Sequence, residues 1–408
     1  MKKPELLIPA GSPEVLKTAV RFGADAVYIG GELFSLRAKA HNFSMDDIRE
    51  GIAYCHEHGC KLYITANITA HNYHLEGVRT YFKELSQLKP DALIISDPGV
   101  FRIAREVCPE IPVHISTQAN NVNKETFLFW NALGVPRVVC GRELSLKEIS
   151  EIRAAIPADM EIEAFVHGAM CISYSGRCLL SNYMTGRDAN LGACTHPCRW
   201  KYALVEEKRP GEYFPVEENA DGTYIFNSKD LCMIGHIPEL VSAGIDSLKI
   251  EGRMKTALYV AVVASTYRKA IDDYFEDPKR YMDNIAMYEE AISQCTYRNY
   301  TTGFFFDKPG TDAQIYDNNV YEKNAVYLGI VGSVGEDGTF FIEQRNKFCV
   351  GDTITIMSPG FVQHTVKVLS MYNEEGEPVE SCPHPKKQIK LRTEVIPKVG
   401  DVLRMKGE

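Results

Sequence analysis

Glu5-Leu6-Leu7-Ile8-Pro9-Ala10-Gly11-Ser12-Pro13-Glu14-Val15-Leu16-Lys17-Thr18-Ala19-Val20-Arg21-Phe22-Gly23-Ala24-Asp25-Ala26-Val27-Tyr28-Ile29-Gly30 reads as strand, helix and strand in one run. The apolar stretch Glu5–Pro9 does not alternate with polar residues, which fits a parallel strand buried on both faces. Ser12 followed by Pro13 supplies an N-cap and a first helical position. Val15, Leu16, Ala19 and Val20 recur at helical spacing, and Gly23 stops the helix. Ala24–Gly30 is then a second buried strand. Such a unit crosses over right-handed and makes its two strands parallel.

The unit repeats along the chain. Further strands are expected at Lys61–Asn67, Ala92–Asp97, Val113–Gln118, Arg137–Cys140, Ile162–Val166 and Ser247–Ile250. Helical patterns lie between them at Ser44–His58, Val78–Leu88, Gly99–Val107, Lys124–Leu133 and Ser145–Ala155. Eight such strands predict an α/β fold, a TIM-like (β/α)8 barrel in preference to an open doubly wound sheet. No GxGxxG follows the first strand, which argues against a dinucleotide-binding open sheet.

The rhythm breaks before the last strand. From about Ala169 to about Gly222, Cys, Gly, Asn and Pro cluster without a period. An irregular insert of that length in a compact domain usually carries function. Helix resumes at Met233–Ala243, and a long helix at Thr256–Tyr274 is expected to close the barrel. Beyond residue 300, short strands at Val326–Val334, Thr339–Gln344, Thr353–Met357, Val362–Ser370 and Gln388–Thr393 alternate with turns such as Gly351-Asp352. They predict a small C-terminal β-barrel. The expected domains are 1–300, a barrel with its insert, and 301–408.

Of 408 residues, 45% are hydrophobic and 24% charged, enough to build a full core and too apolar for disorder. No apolar run approaches the roughly 20 residues needed to span a bilayer. Lys2 and Lys3 lack a following apolar segment of signal-peptide length, so a cytoplasmic chain with no membrane partner is expected. In that compartment the 12 cysteines are thiols or metal ligands rather than disulfides.

Four of them, Cys171, Cys178, Cys194 and Cys198, fall in the irregular insert among glycines and turns. Four thiolates on such a segment suit a structural zinc or an iron–sulfur cluster. The spacing lacks the two close pairs usual for zinc, and so points to a [4Fe–4S] cluster. Cys232, just before a helix, is an alternative ligand or a buried thiol. Cys55, Cys60, Cys108, Cys140 and Cys295 sit within helix or strand patterns and are expected to be buried thiols.

In a TIM barrel the chemistry gathers at the C-terminal ends of the strands. Asn67, Asp97, Ser116, Thr117, Gln118, Asn120, Arg142, Glu143 and His167 fall there, as does Lys249-Ile250-Glu251-Gly252-Arg253. Arg142, Lys249, Arg253 and Gln118 are expected to hold a small carboxylate substrate. His167, Glu251 and Arg253 are the candidate catalytic residues, the first two as proton carriers. Internal salt bridging is the alternative role for Lys249 and Glu251.

Glu163-Ala164-Phe165-Val166-His167-Gly168-Ala169-Met170-Cys171-Ile172-Ser173-Tyr174-Ser175-Gly176-Arg177-Cys178-Leu179-Leu180-Ser181 resembles the signature of the U32 peptidase family. Glu5–Gly11, Ala24–Gly30, Asn227–Leu231 and Lys249–Arg253 resemble it as well, and the C-terminal domain is similar to one appended in longer members. The resemblance implies a TIM-like barrel with a cluster on Cys171, Cys178, Cys194 and Cys198, Cys232 competing with the last. It also implies RNA hydroxylation. The most similar branch is linked to prephenate-dependent 5-hydroxylation of the tRNA wobble uridine. tRNA is then the partner, with a second U32 protein or an electron donor beside it. Neither an HExxH helix nor a GxSxG elbow is present. A Cys–His protease built on an insert cysteine and His167 or His196 is the alternative, and a non-catalytic cluster-bearing scaffold is a third reading.

A net charge of −9 argues against RNA binding by the whole surface, so the cations must be local. From His384 to Lys406 the chain carries Lys386, Lys387, Lys390, Arg392, Lys398, Arg404 and Lys406 against Glu394 and Asp401. This excess is expected to bind phosphates. Arg199-Trp200-Lys201 adds cations and a stacking ring beside the cysteines.

Overall fold

The structure is a computed structural model that describes residues 2–36, 42–171, 173–174, 176–200, 203–204, 214–215, 227–309, 314–315 and 322–407. Eight parallel strands form a closed barrel: β1 (Glu5–Pro9), β2 (Ala26–Gly30), β3 (Lys61–Ala66), β4 (Ala92–Ile95), β5 (Val113–Ile115), β6 (Arg137–Val139), β7 (Glu161–Ala169) and β8 (Ser247–Ile250). Closure comes from β8, where Ser247 lies opposite both Glu5 of β1 and Glu163 of β7. All five residues of β2 are buried, as the unbroken apolar run predicts. Each fully buried Val or Ile contributes about 1.5–3 kcal/mol.

Helices α1 (Pro13–Arg21), α2 (Met45–Glu57), α3 (Leu75–Leu88), α4 (Pro98–Val107), α5 (Lys124–Ala132) and α6 (Leu146–Ala155) pack outside the strands. Their starts are written in the sequence. The Ser12 hydroxyl accepts the N–H of Val15, and Ser44 with Asp47 and Ser145 with Glu148 form reciprocal capping boxes. The insert carries a short helix, α7 (Leu180–Thr185), and α8 (Ile237–Ser242) leads into β8. The long helix α9 (Ala257–Glu276) lies across the barrel wall with 14 of its residues buried. None of the described helices is long and apolar enough to cross a membrane.

β7 is longer than its apolar run. Its first part closes the barrel, and its last residues pair antiparallel with Asp230–Cys232, with Ala169 opposite Asp230 and His167 opposite Cys232. Gly168 makes this possible. Its φ is +104°, and a Cβ there would lie 2.6 Å from the Glu251 carbonyl oxygen. Tyr300–Thr301 extends the same sheet beside Asp230–Leu231.

The small C-terminal barrel is closed by six antiparallel strands: Ala325–Val334, Phe340–Glu343, Gln388–Thr393, Val362–Tyr372, Thr353–Ser358 and Val402–Lys406, in spatial order. The sixth, Val402–Lys406, is absent from the sequence expectation. Its middle residue Arg404 disguised it as a basic tail. That side chain is buried and donates to Gln294 Oε1 (2.7 Å) and Gln363 Oε1 (2.9 Å). Ala325, Met357 and Val402 join the core of the large barrel, and Arg345 pairs with Glu14 of α1 at 2.8 Å.

An ionic layer fills the lower lumen. Arg137 contacts Glu5 (2.5 Å), Glu161 (2.7 Å) and Glu163 (3.2 Å), and Lys249 contacts Glu163 at 2.7 Å. Burial alone raises the Glu5 and Glu161 carboxyls, but the Arg137 guanidinium outweighs it and holds both below the usual carboxylate range. Leu7, Ala26, Tyr28, Tyr63, Ala92 and Ile94 pack together against this layer, Tyr63 donating its hydroxyl to Glu5 Oε2 at 2.8 Å.

Candidate active site at the barrel mouth

A cavity opens at the C-terminal ends of the strands, lined in part by Tyr28 and Ile94. Gln118, Arg142, Lys249, Glu251 and Arg253, all expected at the mouth, line it together with Asn67, Ser116 and Thr117. Three of its lining residues are cationic and one, Glu251, is anionic. Such a balance favours an anionic ligand.

The cations differ in how they are held. Arg142 sits 4.0 Å above the Phe165 ring, donates Nη1 to the Ala169 carbonyl (2.9 Å), and lies 3.8 Å from Glu251. Its buried Nε has no hydrogen-bond partner among the described residues, and neither has Gln118 Oε1. Unmet buried donors and acceptors are costly, so a donor and an acceptor left over at one cavity fit a ligand that satisfies them. Lys249 spans two layers: its Nζ pairs with Glu163 below and lies 4.5 Å from the Tyr28 ring centre. The internal salt bridge is therefore real, and Lys249 still lines the cavity.

Arg253 donates Nη1 to Ser35 Oγ (2.6 Å) and Thr65 Oγ1 (2.7 Å), and Nη2 to the Leu36 carbonyl. It anchors the loop that follows β2 and forms a wall of the cavity. A guanidinium holds its proton throughout the neutral range, so Arg253 acts by charge and position rather than by proton transfer. Tyr28 and Phe165 were missed by sequence reasoning. Tyr28 donates its hydroxyl to the Ile250 carbonyl (2.8 Å) and approaches Glu251 Oε2 at 3.5 Å. Strand alternation near the C-terminal ends of β2 and β7 was the signal that could have found both.

His167 is not at the mouth, contrary to expectation. Its ring lies against Tyr267 (5.6 Å between centroids), Tyr300 (5.5 Å) and Tyr259 (6.1 Å), on the helix-facing side of β7. The reason is a bulge: Lys249 faces Phe165, but the next residue, Ile250, faces His167. That one-residue slip inverts the inward–outward alternation. Burial, then the charge of Lys255, lowers the imidazole to a pKa of about 3. It is a neutral buried ring at neutral pH.

The insert meets the mouth directly. Gly176 approaches Gln118 so closely that a Cβ would lie 2.8 Å from its Oε1. A second cavity is lined by Arg142, Glu143, Met170, Cys171, Ser173, Tyr174 and Phe304. Arg142 is common to both cavities, so one side chain separates the Cys171 thiol from the mouth. Burial raises the Glu143 carboxyl above its ordinary value.

Cys171 is exposed, Cys178, Cys194 and Cys198 are partly buried, and none of the four is in a disulfide. The Cys194 sulfur accepts the backbone N–H of His196 at 3.4 Å, as cluster-ligating thiolates do. The donor chemistry thus fits an iron–sulfur centre. Among the described residues, however, no three His, Cys, Asp or Glu side chains converge as they would around one metal ion. Cys232 lies apart, in a different cavity with His236 and Glu289, and burial pushes its thiol up to about 12. Cys55, Cys60, Cys108, Cys140 and Cys295 are buried, as expected.

Some of the expected phosphate-binding cations of the small barrel are engaged. Lys387 pairs with Glu374 (3.0 Å) and Lys390 with Asp337 (3.2 Å), so that surface is mixed in charge rather than basic. Lys386 and Arg392 are exposed. Lys201 and the side chain of Arg199 lie outside the described residues.

Known proteins agree with this layout. The family model described as peptidase family U32 matches residues 11–315, and that of its C-terminal domain matches 323–404. The chain is 40% identical over 392 residues to "tRNA hydroxylation protein P1" of Bacillus subtilis, covering 96% of this chain and 92% of the relative. It is 39% identical over 424 residues to "tRNA hydroxylation protein P" of Escherichia coli, covering 94% and 92%. An uncharacterized protease of Methanocaldococcus jannaschii is 37% identical over 382 residues, covering 91% and 92%. Barrel, insert and C-terminal barrel are thus matched throughout, and the chain belongs to peptidase family U32.

Proposed function

We propose that this chain hydroxylates tRNA, at C5 of the wobble uridine, with prephenate bound in the barrel mouth and an iron–sulfur cluster on the insert. The names of its relatives in Bacillus subtilis and Escherichia coli support the tRNA role. The observation that carries the chemical part is the cationic cavity with two unmet polar atoms, Gln118 Oε1 and Arg142 Nε, one side chain away from Cys171.

In this reading Arg142 and Lys249 draw the carboxylates of the ligand into the mouth. Arg142 is oriented for that task by Phe165 and the Ala169 carbonyl. Glu251, beside the Tyr28 hydroxyl, is the carboxylate placed to take or return a proton at the bound ligand. Gly176 of the insert packs directly against Gln118 and fixes that side of the mouth. Cys171, Cys178, Cys194 and Cys198 hold the cluster, which supplies one-electron chemistry when bound.

The peptidase reading fares less well. A thiol protease needs a histidine within hydrogen-bond reach of its cysteine. His167, one of the two candidate histidines, is turned into the tyrosine layer instead, which leaves the reading to His196, whose backbone N–H meets the Cys194 sulfur at 3.4 Å.

Complementation of a deletion strain tests the proposal. The wild-type gene restores the hydroxylated wobble uridine, measured by mass spectrometry of digested tRNA, and Cys171→Ala and Arg142→Ala do not. Unchanged modification in the deletion strain removes the tRNA role. Restoration by Arg142→Ala removes the barrel mouth from the reaction and leaves a scaffold. Iron and sulfide in protein purified without oxygen test the cluster separately, and iron-free, colourless wild-type protein refutes it.

A further inference from the structure

We infer that a rim of exposed aromatic rings and exposed arginines around the barrel mouth takes the unstacked bases of an RNA loop, and that the small barrel is not the main RNA-binding surface. The inference rests on the tRNA reading above and says where the RNA sits.

Four large rings stand open on the mouth side. Tyr73 lies on the loop after β3 and is 74% exposed. Tyr174 (55%), Tyr183 (87%) and Trp200 (45%) lie on the insert. The two segments form one surface, because Thr69 donates its N–H to the Asn190 carbonyl at 3.1 Å. Tyr183 projects from α7, which packs against the turns at Ala189–Leu191 and Pro197–Arg199. Leaving these rings in water forgoes burial that a soluble chain ordinarily secures, and such a patch marks a binding surface.

Charge identifies the partner. Residues 169–200 hold Arg177, Arg187 and Arg199 against Asp188 alone, in a chain whose net charge is −9. Arg177 and Arg187 are exposed, and neither pairs with an acid among the described residues. Asp188 is occupied in capping the Asn190 N–H at 2.7 Å. Flat rings interleaved with exposed cations match single-stranded nucleic acid, whose bases stack on the rings while its phosphates meet the arginines. A base held at this rim lies over the cavity in which a small ligand would be bound. On the small barrel the cations are interspersed with acids, Lys387 and Lys390 having acidic partners, and among the described residues there no exposed ring is as open as Tyr183.

Fluorescence anisotropy on the full chain tests this. The probes are a fluorescein-labelled RNA hairpin with an unpaired loop and the same strand annealed to its complement. Tyr183→Ala/Trp200→Ala is expected to weaken hairpin binding about tenfold or more, from the loss of two stacking platforms, while duplex binding changes little. Phe129→Ala, an equally exposed ring on α5 at 58%, leaves hairpin binding unchanged. Wild-type affinity in the double variant overturns the inference. So does a larger loss in Lys387→Ala/Lys390→Ala, which would move the RNA to the small barrel. In either case restoration of the hydroxylated uridine by the wild-type gene leaves the tRNA reading standing, so the two failures are distinct.

Discussion

Replacing Glu163 with Gln removes the charge that joins the two halves of the lumen. Glu163 is fully buried between Lys249 at 2.7 Å and Arg137 at 3.2 Å. At 2.7 Å and an effective dielectric of about 20, Coulomb's law gives about 6 kcal/mol for the Lys249 contact. Arg137 keeps Glu5 and Glu161, so its charge stays balanced. Among the described residues Lys249 keeps the rings of Tyr28 and Phe165, which return about 1–2 kcal/mol. A net loss of about 3–5 kcal/mol is expected, the usual cost of orphaning one buried charge. Lys249→Met in the same chain removes the orphan and should recover at least half of that loss. Urea unfolding followed by circular dichroism, with all four corners of the double-mutant cycle, gives the coupling directly. Additivity within about 0.5 kcal/mol would refute the account of the lumen as a single ionic unit.

Three further outcomes follow from the same coordinates. His167 titrates near 3 when folded and near 6.5 when unfolded, so between those limits the unfolded chain binds the extra proton and stability falls as pH drops. At about 1.36 kcal/mol per pH unit, the loss approaches about 5 kcal/mol by pH 3, and His167→Phe should flatten that acid limb in thermal melts. Gly168→Ala forces a Cβ at φ +104° to within 2.6 Å of the Glu251 carbonyl, and is expected to cost about 1–3 kcal/mol by chemical denaturation. Arg142→Ala should weaken calorimetric binding of prephenate about tenfold or more, the scale of one charged hydrogen bond, with the fold unchanged.

The barrel was legible because its strands are apolar on both faces and its helices carry explicit caps. Ser12-Pro13, Ser44 with Asp47, and Ser145 with Glu148 each mark a start that the structure keeps. What escaped was geometry that composition does not encode. The bulge opposite Lys249 turned His167 outward, and nothing in a run of hydrophobic residues announces a one-residue slip. Val402–Lys406 was hidden because a buried arginine, held by two glutamines, reads as a surface cation. The mouth residues Gln118, Arg142, Lys249, Glu251 and Arg253 were found from the rule that strand ends carry chemistry. Their division into a loop anchor, a layer-spanning lysine and an arginine with an unmet Nε needed coordinates.

The pairing of Ala169 with Asp230 has a consequence for how this protein can vary. Both feet of the excursion across residues 170–229 stand on one rung, like a hairpin whose loop has been let out. Lengthening or shortening such a loop changes its closure entropy only slowly and leaves the barrel closure between β7 and β8 untouched. Residues can therefore be added to or removed from the excursion without renegotiating the scaffold beneath it.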